Sequence, residues 1–241
     1  MVFLKLLKKN LGYDFKKFKY FAGHSLGEYS ALACVGSISF EDTLKILQKR
    51  GKFMQEAVPS GEGAMLAVLG MASKELDEIL ETNNKKYECF IANDNSNLQV
   101  VVSGLKKDIN LLSDDLNNKK IKNLKLNVSA PFHCKYMKSA SEKMSSYIND
   151  LKMSDLEKPI ISNVTANETV SSKEIKSLLI SQIEKKVRWL ESVEYMINNG
   201  VKNFVEIGPG KVLSGLIKRI NKNVIVNAIN SEEDIKLLTN D

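Results

Sequence analysis

Residues 18–34 read Phe-Lys-Tyr-Phe-Ala-Gly-His-Ser-Leu-Gly-Glu-Tyr-Ser-Ala-Leu-Ala-Cys, and this stretch decides the fold. Phe18 to Ala22 reads as a short buried strand, and Glu28 to Cys34 is helix-forming. Between them lies Gly23-x-Ser25-x-Gly27, the pattern of a nucleophile elbow. A sharp strand-to-helix turn lifts the serine hydroxyl clear of the fold, and glycines on either side are expected to avoid clashes with neighbouring backbone. The helix that follows points free N–H groups at developing negative charge. The pattern alone also fits a plain turn; the strand before it and the helix after it favour a nucleophile.

A serine nucleophile needs a base, and the chain has two histidines, His24 and His133. His24 adjoins the serine, and neighbours at an elbow project in different directions. His133, in Ser129-Ala-Pro-Phe-His-Cys-Lys-Tyr-Met137, is therefore the candidate base. Arg50 reads on spacing alone as a surface arginine. It gains a role if the acyl group carries a carboxylate, which a guanidinium grips through two parallel hydrogen bonds. Glu206-Ile-Gly-Pro-Gly210 reads as a strand end and tight turn into a helix, a backbone feature placed near the site. Cys134 has no second base to activate it and reads as structural.

Outward from the elbow, Ser39-Phe-Glu-Asp42 has capping-box-like spacing and opens a long helix that ends near Pro59-Ser60-Gly61. Strand and helix alternate up to that point, as in a parallel α/β sheet. Ala64–Leu69, Tyr87–Ala92, Leu98–Ser103 and Lys122–Val128 then read as strands, with helices over Ser73–Thr82 and Lys106–Leu116 and a polar turn over Asn93–Asn97. This β-α-β-β-α-β order is the ferredoxin-like pattern. Helices over 137–151, 175–183, 189–198 and 211–220 follow, with strands over 159–164, 204–207 and 224–228. The fold class is therefore α/β: an α/β-hydrolase-like parallel-sheet core formed by residues 1–59 and 130–241, with a ferredoxin-like small domain inserted at 60–129. His133 falls where the small domain hands back to the large one, and clefts between domains favour sites. At the start, Phe3, Leu6, Leu7 and Leu11 are spaced as a packing helix, and the lysines among them argue against a signal peptide.

Composition excludes several classes. The 241 residues are 43% hydrophobic and 27% charged, ordinary for a globular protein and unlike a disordered chain, a collagen-like fibre or a membrane bundle. No apolar run reaches the roughly 18 residues that a membrane span needs. The net charge is +6, but the lysines are scattered and often sit beside asparagines, without the aromatic-plus-basic pattern of nucleic-acid binding. Three cysteines without CxxC spacing argue against a disulfide framework or a zinc site and fit a reducing cytoplasm.

Read together, these motifs resemble the malonyl-CoA:acyl-carrier-protein transacylases of fatty acid synthesis, relatives of polyketide-synthase acyltransferase domains. The match runs through Ala22–Leu32, Arg50–Pro59, Gly63–Gly70, Ala92-Asn-Asp-Asn95, Val101–Gly104, Pro131-Phe-His-Cys134, Val187-Arg-Trp189, Glu191-Ser-Val193 and Glu206–Leu213. The resemblance implies that Ser25 is the acyl-accepting nucleophile and His133 its base. It further implies that Arg50 holds the malonyl carboxylate and that the Leu26 amide donates to the oxyanion. By the same resemblance the Gln182 backbone carbonyl orients the histidine in place of a triad acid, and Phe132 matches malonyl-selective members. The implied partners are malonyl-CoA and an acidic acyl carrier protein, with no metal or redox cofactor, no nucleic acid and no membrane, and the chain is expected to be a cytoplasmic monomer.

Two departures from that family stand out. Its members begin with a strand and a Gly-Gln-Gly loop that supplies an oxyanion glutamine, whereas these residues open at the helix before the nucleophile strand. The resemblance implies a fragment, an internal-start product or a changed lineage. A lost oxyanion donor typically costs about 10²–10³ in rate. Lys186 also stands where a proline is common. The rival expectations are a serine esterase or thioesterase, in which Arg50 has no role, and a catalytically impaired fragment that only binds carrier protein or CoA.

Overall fold

The structure, a computed structural model, describes residues 17–231 together with Glu233 and Asp234. The helix expected around Phe3 to Leu11 lies outside the described residues.

The elbow leads into α1 (Leu26–Val35), which ends at Gly36 with φ 82°. A left-handed residue there closes the helix, as glycine does at the smallest cost. α2 (Phe40–Gln55) starts at Ser39, whose hydroxyl oxygen accepts the Asp42 N–H at 3.0 Å, the cap its spacing predicts. β1 (Gly63–Leu69), α3 (Ser73–Thr82), β2 (Cys89–Ser96), β3 (Gln99–Leu105), α4 (Lys106–Asn118) and β4 (Asn123–Lys125) follow. The order across their sheet is β4-β1-β3-β2, each pair antiparallel. The expected turn at Asn93–Asn97 contracts to Asn97 and Leu98, because β2 runs on to Ser96 through two register shifts. Its polar end is buried rather than solvated, so polarity there marks an internal contact. β4 is shorter than the expected 122–128.

The chain continues through α5 (Lys138–Asn149), β5 (Ile160–Ile161), β6 (Glu168–Thr169), α6 (Ser172–Gln182), β7 (Val187–Arg188), α7 (Trp189–Asn198), β8 (Asn203–Ile207), α8 (Val212–Ile220) and β9 (Ile225–Ile229). Its parallel pairings are β8 with β9, β7 with β2, and a single bridge between Phe21 and Ile160. The strand expected over Phe18–Ala22 is reduced to that bridge. The two segments share only the bonds from Phe21 N–H to Pro159 O (3.0 Å) and from Ile161 N–H to Phe21 O (2.8 Å) before the chain turns into the elbow. β7 joins the edge of the antiparallel sheet and so ties it to the rest of the molecule.

Four apolar clusters among the described residues hold these layers. Tyr29, Leu32, Ile46, Met144, Ile160 and Leu179 pack α1, α2, α5 and α6 together. Leu66, Val68, Val100 and Val102 pack one sheet face on Leu76, Ile109, Leu112 and Leu116. Val187, Trp189, Val193, Phe204 and Leu216 form the third. The opposite sheet face carries Met65, Ala67 and Val101, with Phe132 against it. Both faces of β1 are thus covered, which explains its unbroken apolar sequence where a half-exposed strand would alternate. Each fully buried aliphatic side chain contributes about 1.5–3 kcal/mol. Here that packing also anchors Phe132 and therefore the start of the loop that carries His133.

Candidate active site

The elbow geometry follows from Gly23 and Ser25. A Cβ added to Gly23 would lie 2.0 Å from the Gly27 carbonyl oxygen, so only glycine fits. Ser25 has φ 52° and ψ −106°, strained for a residue with a side chain and of the kind that collects at functional sites. Gly27 differs from the expectation: an added Cβ there meets nothing within 4 Å, so it relieves no clash.

Ser25 Oγ lies 2.8 Å from His133 Nε2. The other ring nitrogen, Nδ1, lies 2.8 Å from the backbone oxygen of Gln182. A carbonyl only accepts, so Nδ1 carries the proton and Nε2 presents its lone pair to the serine hydroxyl. His133 is buried and has φ 61°. Burial pushes its pKa down to about 3, helped by the Arg50 charge and opposed by the Gln182 carbonyl. The imidazole is therefore neutral at pH 7, the form a base requires.

Arg50 comes from the third turn of α2 yet is buried against the site. Its Nη2 donates to Ser25 Oγ and to Gln182 Oε1, both at 3.0 Å, and its guanidinium lies 5.6 Å from the centre of the Tyr29 ring. Its Nε has no hydrogen-bond partner. The reading of Arg50 as a surface residue is thus set aside: a buried cation with an unused donor faces the serine. Leu26 follows Ser25 at the helix start and is 52% exposed, and its amide makes no hydrogen bond among the described residues. It is one of the orphan donors that open a helix.

His24 turns the other way. Its Nε2 lies 2.8 Å from Asn95 Oδ1 on β2, and its ring lies 5.7 Å from that of Trp189. The Glu206 carboxylate accepts from the backbone of Leu213 at 3.1 Å and of Ser214 at 2.7 Å. The Glu206 side chain thus caps the start of α8, and Gly208 (φ 149°) and Gly210 (φ 90°) take the positive φ of the expected tight turn. Cys134 Sγ donates to Pro131 O at 3.0 Å and has a structural place. Arg188 pairs with Glu191 and donates to the Val164 and Thr165 carbonyls at 3.2 and 3.0 Å, bracing the loop after β5.

Sequence reading missed two residues of this cluster, Glu28 and Asn163. Asn163 accepts the Ser25 N–H at 2.6 Å and donates to Gly23 O at 2.8 Å, which pins both sides of the elbow. Glu28 is 1% exposed. Burial pushes its carboxyl up to about 7 against hydrogen bonds from Gln182 and Asn163 and the Arg50 charge. Its adjacency to the elbow was the available signal; its burial was not visible in sequence.

Residues 17–233 match the acyl transferase domain family. The chain belongs to that family. Among similar acyl transferases, the malonyl CoA-acyl carrier protein transacylase of Bacillus subtilis is 43% identical over 218 residues, covering 90% of this chain and 69% of the relative. The solved acyl-carrier-protein S-malonyltransferase of Bartonella henselae superposes with a TM-score of 0.94 at 38% identity, over 98% of this chain and 76% of that one. A malonyl-transacylase solved in complex with its type II polyketide-synthase acyl carrier protein gives a TM-score of 0.92 at 34% identity, over 98% and 76%. Among the described residues of this acyl transferase, no helix is long and apolar enough to cross a membrane. No group of three or more His, Cys, Asp or Glu side chains among them is placed to hold a metal ion.

Proposed function

We propose that this chain transfers a malonyl group from malonyl-CoA to the phosphopantetheine thiol of acyl carrier protein through a malonyl-serine ester, in fatty acid synthesis. The observation that carries the reading is the contact of one hydroxyl, Ser25 Oγ, with both the His133 base and the buried Arg50 guanidinium. An esterase needs the first contact and has no use for the second. The family and its malonyl-transferring relatives support the same reading.

In the first half-reaction Ser25 Oγ attacks the thioester carbonyl carbon as its proton passes to His133 Nε2. The oxyanion faces the Leu26 N–H at the positive end of α1. The carbonyl re-forms, the C–S bond breaks, and the CoA sulfur leaves with the proton from His133. The acyl carboxylate pairs with Arg50, which exchanges its contact with Ser25 for a charge-assisted one. In the second half-reaction the carrier thiol gives its proton to His133, its sulfur attacks the ester carbon, and Ser25 Oγ leaves with that proton. Gln182 holds the ring through its backbone carbonyl and takes the place of a triad carboxylate. Ser25 and His133 act as catalytic residues, Arg50 and Leu26 as substrate contacts. The chemistry uses no cofactor beyond the CoA and carrier thiols. We assign 60–129 to the small domain, 1–59 and 130–241 to the core, and the enzyme to the cytoplasm.

Incubation with malonyl-CoA followed by intact-mass measurement tests this. The parent should gain one malonyl group and lose it to added holo-carrier protein, and Ser25→Ala should gain none. A folded parent that never acylates would overturn the proposal.

A further inference from the structure

Glu28 lies one helical turn beyond Ser25, enclosed by protein. Its Oε2 accepts two hydrogen bonds, from Gln182 Nε2 at 2.7 Å and from the Asn163 backbone N–H at 3.2 Å. Both partners continue to the reacting groups. The Gln182 backbone oxygen accepts a hydrogen bond from His133 Nδ1–H at 2.8 Å, and its side-chain amide also donates to Ser25 O at 3.1 Å. Asn163 bridges the Ser25 N–H and the Gly23 carbonyl. One carboxylate oxygen thus joins three segments far apart in sequence: the nucleophile helix, the loop after β5 and the last turn of α6. Burying a carboxylate without need is costly, and helix packing alone would be served as well by an apolar side chain. The Arg50 charge reaches Glu28 through the Gln182 amide, whose oxygen takes Arg50 Nη2 and whose nitrogen meets Glu28.

We propose that Glu28 is a positioning residue for acyl transfer: its Oε2 fixes Gln182 and Asn163, and through them the ring of His133 and the backbone of Ser25. This rests on the reading of Ser25 and His133 as the reacting pair. Glu28 touches no substrate atom. It sets the distance and angle between nucleophile and base, to which rate is steeply sensitive.

The test compares the parent with E28Q, E28D and E28A in the full chain. The rate of Ser25 phosphonylation by a fluorophosphonate is followed by intact mass, beside kcat and KM for malonyl transfer. The probe reports activation of the serine without needing the malonyl substrate. E28Q keeps an acceptor oxygen at the same reach and should label near the parent rate. E28D withdraws the oxygen by one methylene and E28A removes it; both should label about 10²-fold more slowly, with kcat falling and KM for malonyl-CoA held. A purely structural role would lower the melting temperature and leave the labelling rate of folded protein unchanged. Folded E28D labelling at the parent rate, or E28Q as slow as E28D, overturns the proposal. If E28A does not fold, the E28D and E28Q pair decides. A parent that reacts with the fluorophosphonate but not with malonyl-CoA would sink the transferase reading, and the order of the variants would still decide the role of Glu28. A parent inert to both would overturn both.

Discussion

Ser25 Oγ has two neighbours whose demands differ. In the proposed reaction His133 must be neutral to take its proton; burial is the main influence that keeps the imidazole neutral, and the Arg50 charge beside it adds to that. Below its pKa the imidazole is protonated and loses its acceptor, so the acid limb of kcat/KM for malonyl-CoA should fall far below the ordinary histidine value of 6.5, toward the depressed value of about 3. A limb centred between pH 6 and 7 would contradict that. Arg50→Ala removes a lowering influence while the larger one, burial, remains. The limb should therefore move to higher pH. In the same variant malonyl-CoA should lose roughly 10–100-fold of its advantage over acetyl-CoA, the worth of a charge-assisted hydrogen bond of about 1.5–3 kcal/mol. An unchanged malonyl-to-acetyl ratio would point to the esterase reading.

The turn between strand and helix separates two glycines that look equivalent in the motif. Gly23 crosses the following helix backbone so closely that a methyl group would sit 2.0 Å from the Gly27 oxygen. Gly23→Ala should therefore lower stability by about 1–3 kcal/mol, the usual cost of overpacking, or prevent folding. Gly27 lies inside α1 with open space at its Cβ. Gly27→Ala should leave the melting temperature unchanged or raise it, by about 0.4–1 kcal/mol of stability. Thermal melts of the two variants check this, and equal losses would show that the elbow's close contact is misjudged. Gly63 has a comparable constraint at a distance: its Cβ would meet Pro131 at 2.2 Å. The first residue of β1 and the His133 loop are thus fitted against one another.

Across the whole molecule, the buried acid and base bias stability with pH in opposite directions. The Glu28 carboxyl is raised from 4.5 to about 7. Its contribution is fully present below about 4.5 and is lost as pH rises through 7. The His133 pKa is lowered from 6.5 to about 3, so its contribution is present above 6.5 and is lost as pH falls toward 3. The two slopes oppose each other between about 4.5 and 6.5. E28Q removes one of them, so the stability of E28Q relative to the parent should climb between pH 4.5 and 7 and then level off. Urea unfolding at pH 4.5, 6 and 8 measures it; a constant difference would mean that Glu28 does not titrate in that range.

The sequence by itself determined the elbow, His133 as the candidate base and the order of most elements. These rest on local rules: a glycine-serine-glycine turn between two periodic segments, a Ser39 cap, and only two histidines from which to choose. Trp189–Asn198 matches its expected bounds because helix periodicity and its stop are local. Strand extents failed where pairing is long-range. Phe18–Ala22 shrank to one bridge, and polar Asn93–Ser96 became buried strand, because partners arriving from distant segments set where a strand ends. Tertiary structure alone decided that Glu28 is enclosed and that Asn163 and Gln182 meet on it, and it showed Arg50, which only the family resemblance had placed at the site, turned inward to the serine. No spacing rule reports these facts. They depend on α2, α6 and the loop after β5 converging on one helix start, where α6 and the loop hydrogen-bond the buried Glu28 carboxyl and Arg50 of α2 reaches it through Gln182.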